Sequence, residues 1–300
     1  MKSSSAEQTP RVAAVYQILA EDIKALGIDA VFGLISDDIC QLVATLDGLG
    51  VRFYGVRHET NAIMMAEGYA STTGRLGIAM IGRGPAMANG MHGLMAAGKS
   101  GSRVLIIAGE APLAGRAPNA LGPDLKSFAA AQVVAAAGLP VFAATSVDVA
   151  RSALADAVAE AELGKAVTLL LPMDVQVASV EVMPTRAGPL APKAAKPSPS
   201  ARAPSLAAAV ELLSKSRRPL IIGGVGAHRA GARQAIEDLA ARIGALLVTS
   251  LKAKDLFRGN PYDLGIIGSS SHSAARRYIE QADCVLVLGA SLNYLTMVSG

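Results

Sequence analysis

Three short segments carry side chains suited to chemistry, each at a point where an apolar strand pattern gives way to a helical one. In the run VRHETNAIMMAEGYASTTGR (56–75), Glu59 stands between a β-rich apolar stretch and a segment in which Ala62, Ile63, Met65, Ala66 and Tyr69 recur at helical spacing. An acid there is held by two rigid elements, at the edge where an α/β sheet presents its ligand-binding groups. The dipole of the following helix by itself also favours an acid in its first turn. In IGRGPAMANG (81–90), Gly84 opens backbone angles closed to other residues and Pro85 fixes the turn. The helix behind them, which carries Asn89, offers backbone N–H groups with no partner within the helix. In GLISDD (33–38), each of Ser36, Asp37 and Asp38 can cap a helix that follows.

The elements that must position these residues follow from the hydrophobic periods. Residues 11–26 carry Val12, Val15, Ile18, Leu19 and Ile23 at helical spacing, and Gly27 ends them. Strands are expected at 30–32, 51–57, 77–81, 104–109 and 167–172, with helices at 38–48, 60–73, 86–98, 125–137 and 147–162 between them. Helices alternating with buried apolar strands mean α/β architecture, a mostly parallel sheet covered on both faces. Residues 184–204, PTRAGPLAPKAAKPSPSARAP, hold six of the fifteen prolines and read as a linker. Beyond it the rhythm restarts with a helix at 205–214, a strand at 219–224, a helix at 229–243 and strands at 245–250 and 284–289. The chain therefore reads as a domain over 1–183, a Pro-rich linker over 184–204 and a second α/β domain over 205–300. Only three clear strands mark that second domain, so it is expected to be incomplete at its C-terminus.

Composition narrows the class. With 300 residues, 51% of them hydrophobic, the chain can build two ordinary domains at about 150 residues each. The net charge of +4 is dispersed, without the aromatic interleaving of a nucleic-acid surface, so no nucleic-acid partner is expected. Cys40 and Cys284 make no metal-ligand spacing, no metal site is read from the sequence, and no window reaches the 18 or so apolar residues of a membrane span. A cytoplasmic protein without a membrane partner is expected.

The segment around Glu59 resembles the pyrimidine-binding domain of thiamine diphosphate enzymes of the acetolactate synthase and 2-keto acid decarboxylase superfamily. The signature there is RHE followed by a helix reading like MAxGYAxxTG. Arg57, His58, Glu59, Met65, Ala66, Gly68, Tyr69, Ala70, Thr73 and Gly74 match it. The resemblance implies a pyrimidine-binding domain followed by a partial, Rossmann-like central domain. It also implies that Glu59 contacts N1′ of the cofactor aminopyrimidine and shares a proton with it, for which the carboxyl must be desolvated. Residues 81–90 resemble the family's GPG-x-x-N turn, which makes Gly84, Pro85 and Asn89 cofactor-binding positions; Ala86 and Arg83 depart from the pattern. In residues 33–38, Ile35 and Ser36 replace a Pro-Gly pair and Asp37 falls where pyruvate-type decarboxylases carry an acid, so Asp37 is a candidate proton relay as well as a candidate cap. Glu110 stands where acetolactate synthases usually have glutamine, at the rim of the same pocket.

Past the linker, GGVGAHRAG (223–231) lacks the spacing of a dinucleotide turn, and FAD binding in the central domain is possible but not legible. The family binds the diphosphate and Mg²⁺ through a Gly-Asp-Gly motif in a third domain, and no such motif occurs in these residues. The metal ligands are expected outside this segment, either further along a longer chain or on another polypeptide. The resemblance thus implies thiamine diphosphate-dependent C–C cleavage, carboligation or both, on a 2-keto acid or related acyl donor, by a lyase or transferase assembled as a dimer or tetramer. A non-catalytic homologue of the same fold, serving as a binding or regulatory module, is the alternative.

Overall fold

A computed structural model describes residues 11–115, 124–182 and 203–297. The chain divides into two compact units, 1–196 and 197–300. The linker expected at 184–204 lies outside the described residues except for its last two.

In the first unit the elements run β1 Arg11–Ala14, α1 Val15–Ala25, β2 Ala30–Gly33, α2 Cys40–Gly48, β3 Arg52–Gly55, α3 Glu59–Thr73, β4 Gly77–Ile81, α4 Pro85–Asn89, α5 Met91–Ser100 and β5 Val104–Glu110. They continue with α6 Ala130–Ala136, β6 Val141–Ala143, α7 Ala150–Ala161, β7 Ala166–Pro172, α8 Met173–Val177 and β8 Ser179–Val182. Six strands form one parallel sheet in the order β3-β2-β4-β5-β7-β6. Strand residues alternate between two cores. Val31, Ile78, Met80, Leu105 and Ile107 face α1, α2 and α7, while Phe32, Ala79, Ile81, Ile106 and Ala108 face α3, α5 and α6. Each fully buried aliphatic side chain contributes about 1.5–3 kcal/mol of transfer free energy.

The helical expectation for 11–26 holds only from Val15. Residues Arg11–Ala14 pair antiparallel with Ser179–Val182, a partner that periodicity in a short window cannot reveal. The expected 86–98 helix is two helices that meet at Gly90, and the expected 125–137 helix starts only at Ala130.

Helix α3 lies unusually close to the sheet and to α5. A β-carbon on Gly77 would stand 2.0 Å from the Ala66 carbonyl oxygen, and one on Gly93 would stand 2.9 Å from Cβ of Ile63. The small residues Ala62, Ala66 and Ala70 on its buried side permit that approach. It fixes where the N-terminus of α3, and hence Glu59, sits.

The second unit comprises α9 Ala203–Lys215, β9 Pro219–Gly223, α10 Val225–Arg229, α11 Arg233–Ile243, β10 Leu246–Thr249, β11 Asp263–Ile266, α12 Ser273–Ile279, β12 Cys284–Leu288 and α13 Tyr294–Met297. Its sheet is parallel in the order β11-β10-β9-β12, four strands rather than the three expected. The extra strand, DLGI, is short and contains a glycine, so it carries little strand signal. No described helix is long and apolar enough to cross a membrane.

Candidate functional site at the carboxyl edge of the first sheet

From β2 the chain steps outward to β3 on one side, and through β4, β5 and β7 on the other. The direction of winding therefore reverses between β2 and β4. In open parallel sheets the crevice at the carboxyl ends of such strands is where ligands bind. The loops leaving β2, β3 and β4 carry Asp37, Glu59 and the Gly84-Pro85 turn, respectively.

Glu59 is the first residue of α3 and is only 7% exposed. Its carboxylate has no hydrogen bond or ion pair among the described residues. The capping role belongs to His58, whose Nδ1 accepts the Thr60 backbone N–H at 3.2 Å. Glu59 is thus nearly buried without serving the helix as a cap, and its carboxylate is left free of partners among the described residues to accept from a ligand. A carboxylate in this place is chemically suited to a protonated ring nitrogen such as N1′ of an aminopyrimidine.

The β4–α4 turn is built around Gly84, which has a φ of 68°. A β-carbon there would stand 2.2 Å from the Lys126 carbonyl oxygen, so both conformation and space demand glycine. Pro85 is exposed at the first position of α4, and Asn89 is exposed at its end. The Thr60 hydroxyl donates to the Asn89 carbonyl oxygen at 2.7 Å, which ties this turn to the helix of Glu59.

The loop after β2 is dominated by charge. Asp38 is completely buried: its Oδ2 accepts the Arg83 backbone N–H at 3.1 Å and lies 3.3 Å from Lys126 Nζ. Its Oδ1 has no partner among the described residues and lies over Gly109, where a β-carbon would come within 2.6 Å of it. Asp37 is exposed and ion-paired with Lys126, and the Ser36 hydroxyl lies between the two acids, 3.0 Å from Asp37 and 3.2 Å from Asp38. The hydrogen bond from Lys126 is the main cause holding the Asp37 carboxyl below the usual carboxylate range. Arg83 grips Asp124 with two hydrogen bonds of 3.0 Å, the main cause of its raised pKa. None of Ser36, Asp37 or Asp38 caps α2, whose N-cap is Ile39 without a side-chain hydrogen bond. The capping alternative for these residues is therefore corrected: Ser36 bonds to the two acids beside it, and all three engage Lys126. Glu110 is half-buried at the end of β5 and accepts the neighbouring Ala111 N–H.

Asp124 and Lys126 carried no sequence signal. They belong to no motif, and Lys126 reaches an acid 89 positions earlier in the chain.

In the second unit Gly224 and Gly226 lie against the protein's own backbone. A β-carbon on Gly224 would stand 2.1 Å from the Gly289 carbonyl oxygen, and one on Gly226 would stand 2.9 Å from Gly289 Cα. Among the described residues no group of three or more His, Cys, Asp or Glu side chains is arranged to hold a metal ion.

Residues 13–129 match the family described as thiamine pyrophosphate enzyme, N-terminal TPP binding domain, and residues 206–299 match the central domain of the same enzymes. The chain is 29% identical over 284 residues to a probable 2-ketoarginine decarboxylase of Pseudomonas aeruginosa, covering 92% of this chain and 48% of that protein. It is 28% identical to an acetolactate synthase of Arthrospira platensis, over 83% of this chain and 43% of the other. It is also 28% identical to a sulfoacetaldehyde acetyltransferase of Castellaniella defragrans, over 95% and 46%. The chain spans somewhat less than half the length of these relatives. With the RHE signature at the head of α3, a buried carboxylate at its first position and both domain matches in the same order along the chain, it belongs to the thiamine pyrophosphate enzyme family.

Proposed function

We propose that the protein acts in thiamine diphosphate-dependent cleavage of a C–C bond in a 2-keto acid or related acyl donor, with or without ligation to a second carbonyl. The observation that carries this reading is Glu59, buried at the carboxyl edge of the sheet with no partner among the described residues. Bound thiamine diphosphate would supply the electron sink for the bond that breaks. The protein's contribution is positional. Glu59 holds and exchanges a proton at N1′ of the aminopyrimidine, and the rigid seam between β3 and α3 keeps the carboxylate in place. Gly84, Pro85 and Asn89 form the wall beside it, and Asp37 faces the mouth of the crevice. Relatives named as a decarboxylase, a synthase and an acetyltransferase are consistent with cleavage alone and with transfer. Mg²⁺ accompanies the diphosphate on ligands outside the described residues. The working unit is a cytoplasmic dimer or tetramer, in keeping with the exposed Met64, Met65 and Met95 on α3 and α5. Met87, on α4 between them in the sequence, is fully buried in the core.

The test is Glu59→Gln in the whole protein, with hydrogen–deuterium exchange at C2 of bound thiamine diphosphate as the readout. Loss of proton exchange at Glu59 slows it by roughly 10² to 10⁴; exchange at the wild-type rate would sink the reading. A non-catalytic binding module is the second reading, favoured by the ion-pair network of Asp38, Arg83, Asp124 and Lys126 at the β2/β4 crevice. It predicts that the wild-type protein binds no thiamine diphosphate and leaves C2 exchange at the rate of the free cofactor.

A further inference from the structure

Residues 124–128 lie as a strap over the point where the sheet reverses its winding, and they hold both loops that flank it. Asp124 takes the Arg83 guanidinium end-on through Nη1 and Nη2, the Lys126 carbonyl sits against Gly84, and Lys126 Nζ reaches Ser36 at 3.1 Å, Asp38 at 3.3 Å and Asp37. A lysine that engages three acceptors on one loop while its own backbone packs on another joins the two mechanically. We propose that Lys126 is a positioning residue, which ties the loop carrying Asp37 to the turn carrying Gly84 and keeps the Asp37 carboxylate aimed and charged at the crevice mouth.

The groups facing Asp37 are few. Its own loop offers Ser36 and Asp38, the strap Lys126 and Asp124, and the β4–α4 turn Arg83. Helix α2 contributes Cys40, whose thiol donates to the Asp37 carbonyl oxygen, and Gln41. Helix α8 contributes the uncharged Met173, Gln176 and Val177, which line a cavity of about 120 Å³ beside the two acids. Lys126 is therefore the cation in direct contact with Asp37, and Arg83, committed to Asp124, does not substitute for it. Among the described residues Lys126 is the cation bonded to Asp37, so removing it leaves Asp37 beside the like charge of Asp38, which favours protonating Asp37.

The activity arm of the test rests on the thiamine diphosphate reading; the other arm does not. In the whole protein, Lys126→Met is compared with Lys126→Arg. Backbone hydrogen–deuterium exchange, read without cofactor or substrate, accelerates about tenfold across 34–40 and 82–86 in the Met variant, as loss of a charged hydrogen bond implies, and stays near wild type in the Arg variant. In 2-keto acid turnover, the acid-side inflection of kcat/KM moves up by about one pH unit in the Met variant and returns in the Arg variant. Unchanged exchange in both loops overturns the proposal outright. Faster exchange with an unmoved inflection also overturns it, because a purely structural tie lowers turnover equally at every pH. If the wild-type protein turns over no 2-keto acid, the thiamine diphosphate reading fails while the exchange arm still decides the role of Lys126.

Discussion

The Thr60 hydroxyl and the Asn89 carbonyl oxygen, 2.7 Å apart, couple the helix that begins with Glu59 to the turn that begins with Gly84. One residue after the candidate catalytic acid, the chain is thereby pinned to the wall expected to face the same ligand. Thr60→Val keeps the shape and removes the bond, and is expected to cost about 1 kcal/mol in denaturant unfolding. Gly93→Ala tests the same contact by overpacking, because the new methyl would meet Ile63 at 2.9 Å and the Thr60 carbonyl oxygen at 3.1 Å. A loss of about 1–3 kcal/mol is expected. A Gly93→Ala protein as stable as wild type would show that α3 and α5 are less closely packed than described.

Adjacent acids on the β2 loop should behave oppositely. Asp38 is fully buried and accepts from the Arg83 backbone N–H and Lys126, so Asp38→Ala leaves a buried donor without its acceptor and is expected to cost about 1–3 kcal/mol. The Asp37 side chain is 71% exposed, and Asp37→Asn is expected to cost no more than about 1 kcal/mol. Chemical denaturation of both variants checks the contrast, and equal losses would contradict it.

Gly84→Ala combines an unfavourable φ with a 2.2 Å approach to the Lys126 carbonyl oxygen, a backbone atom that no rotamer change can move aside. The variant is expected to displace the strap and to lose several kcal/mol of stability. The corresponding Gly48→Ala, at a helical glycine with open space around it, serves as the control and is expected to be neutral or slightly stabilising.

In the second unit, Asp283 accepts the Ser216 hydroxyl and the backbone N–H groups of Arg217 and Arg218. These bonds, the one from Ser216 first, bring its carboxyl down to about 2. Because the folded value is depressed, its contribution to stability is complete above the ordinary carboxylate value of 3.8 and is lost as pH falls towards about 2. In acid titrations followed by circular dichroism, Asp283→Asn should flatten the dependence of stability on pH in that window and leave the slope above it unchanged.

The alternation of helices with apolar strands, and the seam that holds Glu59, were legible because both are local. The period of apolar residues changes within a few positions, and a Glu beside Arg57 and His58 ahead of a small-residue helix is a contiguous pattern. The resemblance to thiamine diphosphate enzymes rested on that same contiguous stretch. Only the tertiary structure decided that β4 joins β2 on the side away from β3, which creates the crevice, and that Arg11–Ala14 pairs with Ser179–Val182 instead of extending α1. It also turned Asp37 and Asp38 from candidate caps into the anchors of a lysine 89 and 88 positions away. Strand order and long-range ion pairs depend on which loops close and what they bury, and those free energies are summed over the whole fold. Hydrophobic period and capping preference report only on neighbours along the chain, so the acid at the seam could be found from the sequence and the strap above the crevice could not.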